Sequence, residues 1–518
     1  MTLDDRITRR RFLGGAAASA ACAWMPPGTA PAAETPKHET TEDLTRLSAA
    51  SAVAALSRGE LSAVGYAQAL LTQCEAGRSL NAFITLRPEQ VLAAARECDK
   101  RRRAGAKLGP LHGLPIPIKD SVNTRDLPTT AGTPALRHFQ PHEDAPLVRA
   151  LRNAGAIVLG KTNLHELSYG YTSANHAYGA IHNPYNPGHV PGGSSGGTAA
   201  SIAYRMAPLG VAEDTEGSIR VPAALCGITG FRPTTGRYPT HGCVPISPLF
   251  DQVGPHARSV GDLMLFDRAV TGSAAVSPPV ALDKVRLGVI RPFWFAGLDS
   301  EVEQVTTAAL DRLRRAGVEL VEGELPELPH LIELITDPVQ NHDVKPSLTR
   351  YLADYRTGVT FEELFAEASP DVQRLIKPAI TPGDKDFVPD EQYERIVRVH
   401  LPRLRAMYQD YFARSGVAAI VFPTTILPAP KLGEEDMEVE VRGRRMPLDE
   451  ALARNIAPGS TAGLPGLVLP AGLTQDGLPV ALELDGPSGS DRALLAVGQA
   501  VEAVLGQLPP PPALAGAG

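Results

Sequence analysis

A Gly/Asn/Pro-rich stretch at 173–197 constrains the fold of this chain more than any other segment. It shows almost no hydrophobic periodicity, yet apolar runs flank it on both sides. A long irregular segment within a folded domain is usually either functional or disordered. Because apolar runs enclose this one, we favour an ordered and functional stretch.

Regular elements are predicted on both sides of this stretch. Amphipathic patterns predict helices at 44–58, 62–74, 88–103, 145–153, 301–315 and 491–505, and apolar runs predict strands at 156–159, 285–290, 318–321, 418–422 and 467–470. The helix at 301–315 lies between two of these strands, which predicts a β-α-β unit. Alternating strands and helices indicate an α/β layered fold. Residues 325–415 are mostly helical and more polar, as expected of an insertion or cap.

Composition excludes several classes of protein. The 518 residues carry 50 Lys+Arg against 57 Asp+Glu, a net charge of −7, so no basic excess points to nucleic acid or to an anionic membrane. The 48 glycines and 47 prolines stay below the share that signals disorder, and 43% of the residues are hydrophobic. The chain can therefore bury a large core.

Residues 1–32 are predicted to be an export signal. Residues 8–13 (TRRRFL) match the twin-arginine pattern, and the Ala-rich stretch at 14–24 is too short to span a bilayer. The A-x-A sequence at 30–32 then predicts cleavage near Ala33. We expect export by the twin-arginine (Tat) machinery to the periplasm or the medium, without a membrane anchor. At the other end, residues 506–518 are predicted to be a disordered Pro/Ala/Gly tail.

The cysteines are interpreted as free thiols. Cys22 belongs to the signal, and none of the other four has C-x-x-C spacing: Cys74, Cys98, Cys226 and Cys243. A protein that folds before export cannot depend on disulfides. A Cys74–Cys98 bridge stays open.

Three familiar patterns are disfavoured by their context. Residues 155–162 match the P-loop spacing, but a helix precedes them and their middle is an apolar strand. Residues 192–196 match G-x-S-x-G, but the preceding 183–188 (NPYNPG) cannot form the strand that a nucleophile elbow needs. The histidines lack metal-ligand spacing, which disfavours a metal site.

Chemistry is indicated by one lysine and two Ser/Gly segments. Lys119 ends the apolar run GLPIPIK, and burial there would disfavour its ammonium form and make it a usable base. The first segment is 191–197 (PGGSSGG) and the second is 214–220 (DTEGSIR). Taken alone, Lys119 is more readily interpreted as a surface lysine at the end of a strand.

Together these elements resemble the amidase signature family in residue type, order and spacing. Further matching segments lie at 127–132, 159–163, 226–234, 242–254, 422–425 and 463–465. The resemblance covers about 40–500 and implies one domain at 40–505, in which a central mixed β-sheet is covered by helices on both faces. It implies no cofactor and no metal.

The resemblance also implies a Ser–cis-Ser–Lys triad. Matching positions make Ser218 the nucleophile, Ser194 the bridging serine and Lys119 the base. A serine hydroxyl is a weak nucleophile until a base removes its proton, and neutral Lys119 would draw that proton through Ser194. The glycine pair Gly192 and Gly193 suits an unusual turn with a cis peptide next to Ser194.

The same resemblance implies supporting residues around the triad. The oxyanion hole is expected from backbone N–H groups of Thr215, Glu216, Gly217 and Ser218. Asp214 and Arg220 are expected to hydrogen-bond the loop, and Ser195 to support the network.

The chain departs from the family pattern at two positions. Glu216 stands where the family usually has Gly, and Glu213 where it usually has Thr. A carboxylate beside an oxyanion is unfavourable, so Glu216 is expected to point away or to bind a partner such as an arginine.

The segments 230–239 and 482–492 look most like the branch of indoleacetamide and mandelamide hydrolases. That likeness implies a small-molecule amide substrate, specifically a primary amide of an arylacetic-type acid, that is cleaved to a carboxylic acid and ammonia. Ester, carbamate or aryl-acylamide hydrolysis is an alternative, as are the glutaminase subunit of a tRNA amidotransferase and a degenerate binding protein. Whether the chain forms a homodimer stays open.

Overall fold

The computed structural model describes residues 40–515 except 274, 276 and 434–437. The export signal predicted at 1–32, with Cys22, therefore lies outside the described residues. Cys74, Cys98, Cys226 and Cys243 are all free thiols. None of the described helices is long and apolar enough to cross a membrane.

The core of the fold is an eleven-stranded mixed sheet with the strand order β1-β3-β2-β6-β8-β7-β14-β15-β11-β9-β10. Strand β2 pairs in parallel with β3 and β6, and β9 pairs in parallel with β10 and β11, whereas the other neighbours are antiparallel. Two short hairpins, β4–β5 and β12–β13, lie outside this sheet. The strands are β1 (Phe83–Leu86), β2 (Pro115–Lys119), β3 (Ile157–Thr162), β4 (Ala174–Asn175), β5 (Gly179–Ala180), β6 (Leu209–Asp214), β7 (Thr229–Arg232), β8 (Gln252–Ala257), β9 (Arg286–Val289), β10 (Glu319–Glu322), β11 (Ala419–Pro423), β12 (Glu438–Val441), β13 (Arg444–Pro447), β14 (Gly466–Leu473) and β15 (Pro479–Asp485).

Helices cover both faces of this sheet. Adjacent side chains of a strand point to opposite faces. At β14, a Cβ on Gly466 would lie 3.1 Å from Arg220 Cδ of α7, whereas the side chain of Leu467 packs against Gly498 of α18. Helices α7 and α18 therefore lie on opposite sides, and the predicted α/β architecture with a covered mixed sheet is confirmed.

The helices are α1 (Thr41–Arg46), α2 (Ala49–Arg58), α3 (Ala63–Ala76), α4 (Pro88–Arg103), α5 (Pro146–Asn153), α6 (Gly196–Ala203), α7 (Arg220–Leu225), α8 (Val260–Thr271), α9 (Arg291–Trp294), α10 (Ser300–Arg315), α11 (Leu328–Asp354), α12 (Phe361–Glu367), α13 (Pro370–Ile380), α14 (Asp390–Arg395), α15 (Leu401–Ser415), α16 (Leu448–Ala453), α17 (Ala457–Ala462), α18 (Asp491–Leu505) and α19 (Pro512–Ala515). A π-helical turn, Ile396–His400, joins α14 to α15. Single 3-10 turns occupy Arg78–Leu80, Pro134–Leu136, Glu166–Ser168 and Leu282–Lys284.

One sequence prediction needs correction. The helix expected at 44–58 is interrupted, because Ser48 begins a new helix by accepting a hydrogen bond from Ser51 N at 3.0 Å. In the C-terminal segment, which the sequence predicts to be a disordered tail from 506 onward, Tyr185 Oη donates to Pro509 O at 2.8 Å and α19 follows.

The region 325–415, which the sequence predicts to be mostly helical, forms helices α11–α15. Its buried apolar side chains, such as Val344 and Leu348, pack with Leu136, Leu167 and Val244 from loops of the sheet domain. Helix α11 thereby comes to lie over the edge of the sheet at which β2 and β6 end, and Gln340 of α11 contacts Glu216 in the turn after β6. These helices contribute one wall of the site described below.

Candidate active site

The site lies where parallel strands β2 and β6 end. Ile118 pairs with Val211, so the carboxyl ends of the two strands lie at the same edge of the sheet. Lys119 is the last residue of β2, and Glu213 and Asp214 are the last two of β6. The tight turn from β6 into α7 carries Ser218. The topology thus brings together residues that are far apart in the chain.

The turn before α6 presents Ser194 to this edge. The Gly193–Ser194 peptide bond is cis, and Gly192 has a φ of 83°. A Cβ on Gly193 would lie 2.7 Å from the backbone carbon of Tyr171, so glycine is required by close approach. Ser194 O accepts hydrogen bonds from His165 N at 3.0 Å and Ser173 Oγ at 3.3 Å, which fix the turn.

Lys119 and Ser194 are in direct contact. Lys119 Nζ lies 2.6 Å from Ser194 Oγ, and both residues are fully buried. Burial lowers the pKa of the Lys119 ammonium, and the carboxylate of Glu213 opposes that shift. The lysine at the end of the apolar strand is therefore a buried group and not a surface residue.

Ser218 faces a cavity of about 1210 Å³. Its hydroxyl has no hydrogen-bond partner among the described residues, which leaves it free to meet a molecule in the cavity. The walls combine polar groups with apolar side chains, among them Ile246, Phe293, Ile332, Leu375 and Met446. An aromatic or aliphatic group could be accommodated beside the hydroxyl.

The hydrogen bonds around Ser218 show which of the predicted oxyanion-hole donors are free. The N–H of Gly217 donates to Asp214 Oδ1 at 2.7 Å, so it is already used. Within the described residues, the N–H groups of Thr215, Glu216 and Ser218 have no acceptor. Three of the four expected donors are therefore free in the structure, because Asp214 takes the fourth to hold the turn.

Asp214 and Arg220 hydrogen-bond each other in the turn that carries Ser218. Asp214 Oδ2 accepts from Ile219 N at 3.0 Å and from Arg220 Nε at 3.1 Å. Arg232 Nη1 donates to Asp214 Oδ1 at 2.9 Å. Burial alone would raise the pKa of Asp214, but the two arginines hold it well below its ordinary value. The turn that carries Ser218 thus rests on a buried ion-pair network.

Glu216 points into the cavity, and none of the described arginines forms a hydrogen bond or an ion pair with it. Gln340 Nε2 of α11 donates to Glu216 Oε2 at 2.5 Å. Burial raises the pKa of the Glu216 carboxyl to about 8, and the carboxylate of Asp337 adds to this rise. This rise favours the neutral, protonated side chain near neutral pH, which reduces the expected conflict with an oxyanion.

Two further residues connect the site. Ser195 Oγ donates to Glu213 O at 3.0 Å and so ties the Ser194 turn to β6, the supporting position that the sequence predicted. Glu213 forms a buried ion pair with Lys119, 2.8 Å from Oε2 to Nζ. Sequence reasoning noted Glu213 only as a departure from the family, although a buried lysine requires a counter-ion and a charge on the apolar strand β6 was a usable signal.

The three disfavoured motifs stay without a supporting structure. Residues 157–162 of the P-loop match form β3, with α5 before it. No strand occupies 183–188 before the G-x-S-x-G match. No group of three or more His, Cys, Asp or Glu side chains that could hold a metal occurs in the described part of the chain.

Comparison with known proteins places this chain among amidases. The family model described as Amidase matches residues 66–495. The chain is 38% identical to the indoleacetamide hydrolase of Agrobacterium vitis over 448 residues, which is 86% of this chain and 94% of that protein. It is also 38% identical to the mandelamide hydrolase of Pseudomonas putida over 445 residues, 83% of this chain and 86% of that protein.

Among solved structures, the peptide amidase of Stenotrophomonas maltophilia superposes with a TM-score of 0.76 at 29% identity. The match covers 91% of this chain and 99% of the peptide amidase. The likeness therefore extends over the sheet, its covering helices and the site at its edge.

Proposed function

Because the chain belongs to the amidase family and is an enzyme that hydrolyses amide C–N bonds, we propose that it does so through an acyl-enzyme on Ser218, with Ser194 and Lys119 as proton relay. The observation that carries this proposal is the 2.6 Å contact between Lys119 Nζ and Ser194 Oγ beside a cavity lined by Ser218. A buried amine held against a serine hydroxyl is suited to accept a proton through it.

The proposed reaction passes through an ester on Ser218 that water then hydrolyses. Neutral Lys119 accepts the proton of the Ser194 hydroxyl, which in turn takes the proton of Ser218, and Ser218 Oγ attacks the amide carbonyl. The free N–H groups of Thr215, Glu216 and Ser218 stabilise the negative charge on the carbonyl oxygen. The relay then returns the proton to the leaving amine as the C–N bond breaks. Water repeats the sequence on the ester and releases the carboxylic acid.

We propose primary amides of arylacetic-type acids as the substrates. The support is the similarity to an indoleacetamide hydrolase and a mandelamide hydrolase, together with apolar side chains in the cavity. Phe293 and Met446 are of the kind that would contact an aromatic ring. The cavity is large for such a molecule. Ile332 of α11 also lines it and is expected to contact the ring.

Intact-mass spectrometry after fluorophosphonate treatment tests the nucleophile. A single adduct on the wild type that is lost in Ser218→Ala supports the assignment. An adduct that persists in Ser218→Ala but is lost in Ser194→Ala would show that Ser194, and not Ser218, is the nucleophile. The absence of any adduct on folded wild type would overturn the mechanism. Ammonia release from phenylacetamide, indoleacetamide and mandelamide, beside glutamine and a phenyl ester, tests the substrate class.

We further propose export by the twin-arginine route. Its support is the TRRRFL sequence at 8–13 and the absence of disulfides among the four described cysteines. Replacing Arg9 and Arg10 with lysine should retain the protein in the cytoplasm with its signal attached. Mass spectrometry of the exported form should give an N-terminus near Ala33, and equal export of the double variant would refute the route.

A further inference from the structure

Lys119 contacts a carboxylate as closely as it contacts its serine. Its Nζ lies 2.8 Å from Glu213 Oε2 and 2.6 Å from Ser194 Oγ. Lys119 is completely buried and Glu213 is 2% exposed, so water does not screen the pair. Glu213 does not line the cavity. It therefore does not touch a molecule in the cavity, and Lys119 is the one residue of the proposed relay that it contacts directly.

Hydroxyl groups hold the Glu213 carboxylate in one orientation. Ser168 Oγ donates to Oε2 at 2.9 Å, and Thr215 Oγ1 donates to Oε1 at 3.2 Å. Thr215 Oγ1 also lies 2.6 Å from Asp251 Oδ1. One hydroxyl has one proton, so Asp251 must itself donate to Thr215 if Thr215 donates to Glu213.

The charge of Asp251 agrees with that order. Burial raises the pKa of Asp251 to about 7, and the negative charge of Glu213 adds to the rise. Asp251 therefore takes up a proton more readily than an ordinary carboxyl does. A series of hydrogen bonds then connects the protonated carboxyl of Asp251, through Thr215 and Glu213, to the ammonium of Lys119.

Other titratable groups near the pair do not replace Glu213. Burial raises the pKa of Cys243 well above its ordinary value and lowers that of His256 to about 4, so both are neutral at pH 7. Asp214 is paired with Arg220 and Arg232. Lys161 is paired with Asp120. Among the described residues, Glu213 is the one carboxylate in ion-pair contact with Lys119.

We propose that Glu213 is a positioning residue for the base: as the buried counter-ion of Lys119 it holds Nζ against Ser194 and sets the pH at which Lys119 becomes neutral. The proposal rests on the proposed function, in which Lys119 is the base. Without Glu213, burial would expel the lysine proton at lower pH. With it, the enzyme needs a more alkaline medium to form the neutral amine.

The test is the pH dependence of fluorophosphonate labelling at Ser218, measured by intact mass in wild type and Glu213→Gln. Glutamine keeps the shape of the side chain and removes its charge. We expect the acid limb of the labelling rate to move down by one pH unit or more, a tenfold gain on the acid side relative to the plateau. KM for an amide should stay within twofold, because Glu213 does not touch the cavity.

Glu502→Gln is the matched control, since Glu502 is a part-buried carboxyl on α18 that accepts from Val260 N at 2.9 Å. Its acid limb should coincide with that of the wild type. An unmoved limb in folded Glu213→Gln overturns the counter-ion role while the proposed function stands. No adduct on folded wild type overturns both.

Glu213→Asp covers the case in which the glutamine variant does not fold. It keeps the charge but shortens the side chain by one methylene, so the acid limb should stay in place while the plateau rate falls at least fivefold. A plateau equal to that of the wild type would show that Glu213 does not position Nζ.

Discussion

Lys161 forms a buried ion pair with Asp120, the residue that follows Lys119 in the chain, with 2.9 Å between Nζ and Oδ1. Lys161 Nζ also donates to Pro128 O at 3.0 Å and to Thr129 Oγ1 at 2.8 Å. This lysine, which completes the P-loop spacing in the sequence, instead ties β3 to the loop after β2. It thereby braces the segment that carries Lys119.

Lys161→Met should therefore destabilise the protein strongly. It leaves the Asp120 carboxylate buried without a counter-charge, a change that typically costs about 3–5 kcal/mol. Urea unfolding followed by circular dichroism measures the loss. The double variant Lys161→Met, Asp120→Asn should recover part of it, and a single-variant loss below about 1 kcal/mol would contradict the bracing role.

Glu216→Gln should change the alkaline side of the pH profile. The pKa of Glu216 is raised to about 8, so the carboxyl is neutral below that pH and becomes an anion beside the free N–H groups above it. We expect wild-type kcat/KM to fall as pH rises through about 8 and the glutamine variant to keep its activity there. Glu333→Gln, an exposed carboxyl on the same cavity wall, is the control. The same alkaline fall in Glu216→Gln would refute this assignment.

The same group makes a prediction for stability. A carboxyl whose folded-state pKa is raised contributes stability that is complete below its ordinary pKa, near 4.5, and is lost as pH rises through about 8. Glu216→Gln should flatten this part of the stability profile. Thermal unfolding of both proteins at intervals between pH 4.5 and 9 measures it, and parallel curves would contradict the predicted titration.

Gly193→Ala should abolish most activity. Its Cβ would lie 2.7 Å from Tyr171 C and 2.8 Å from Gly170 O, which are backbone atoms that cannot yield without moving the Ser194 turn. A displacement of about 1 Å at a reacting group can cost on the order of 100-fold in rate. The control is Gly261→Ala near the start of α8, where the nearest atom lies at 3.8 Å. Fluorophosphonate labelling rates of both variants decide the point, and wild-type labelling of Gly193→Ala would contradict it.

Arg220→Lys should loosen the turn that carries Ser218. Arg220 bonds Asp214, Glu483, Ser460 and Ile456 O through several guanidinium nitrogens, whereas an ammonium cannot match that geometry. We expect kcat to fall at least tenfold and the unfolding temperature to drop. Arg237→Lys, a part-exposed arginine paired with Asp267, should cost less than half as much in unfolding temperature and leave kcat unchanged. Equal effects of the two substitutions would contradict a specific role for Arg220.

Much of the fold could be predicted locally. The helix at 88–103 is observed as α4 with those bounds, because a proline at its first position and an apolar face are readable in the sequence. The β-α-β unit around α10 is confirmed by the parallel pairing of β9 with β10. Where the prediction failed, at α1–α2, a distant residue adds to the local cap at Ser48: the carboxylate of Asp262 accepts from Ala49 N and Ala50 N at 3.0 Å.

By itself, the sequence determined which residues are available for the chemistry: the Ser/Gly segments around Ser194 and Ser218, the lysine at the end of an apolar strand, and their order along the chain. Those are local features of residue type and spacing, and the resemblance to the amidase family rests on them. Only the tertiary structure decided which charges meet. The partners of Lys119 and Lys161 are Glu213 and Asp120, and the pairing follows from how the strands align. A buried charge is stabilised by what packs against it in three dimensions, so neither the counter-ion of Lys119 nor the set of N–H groups left free in the turn that carries Ser218 could be read from spacing.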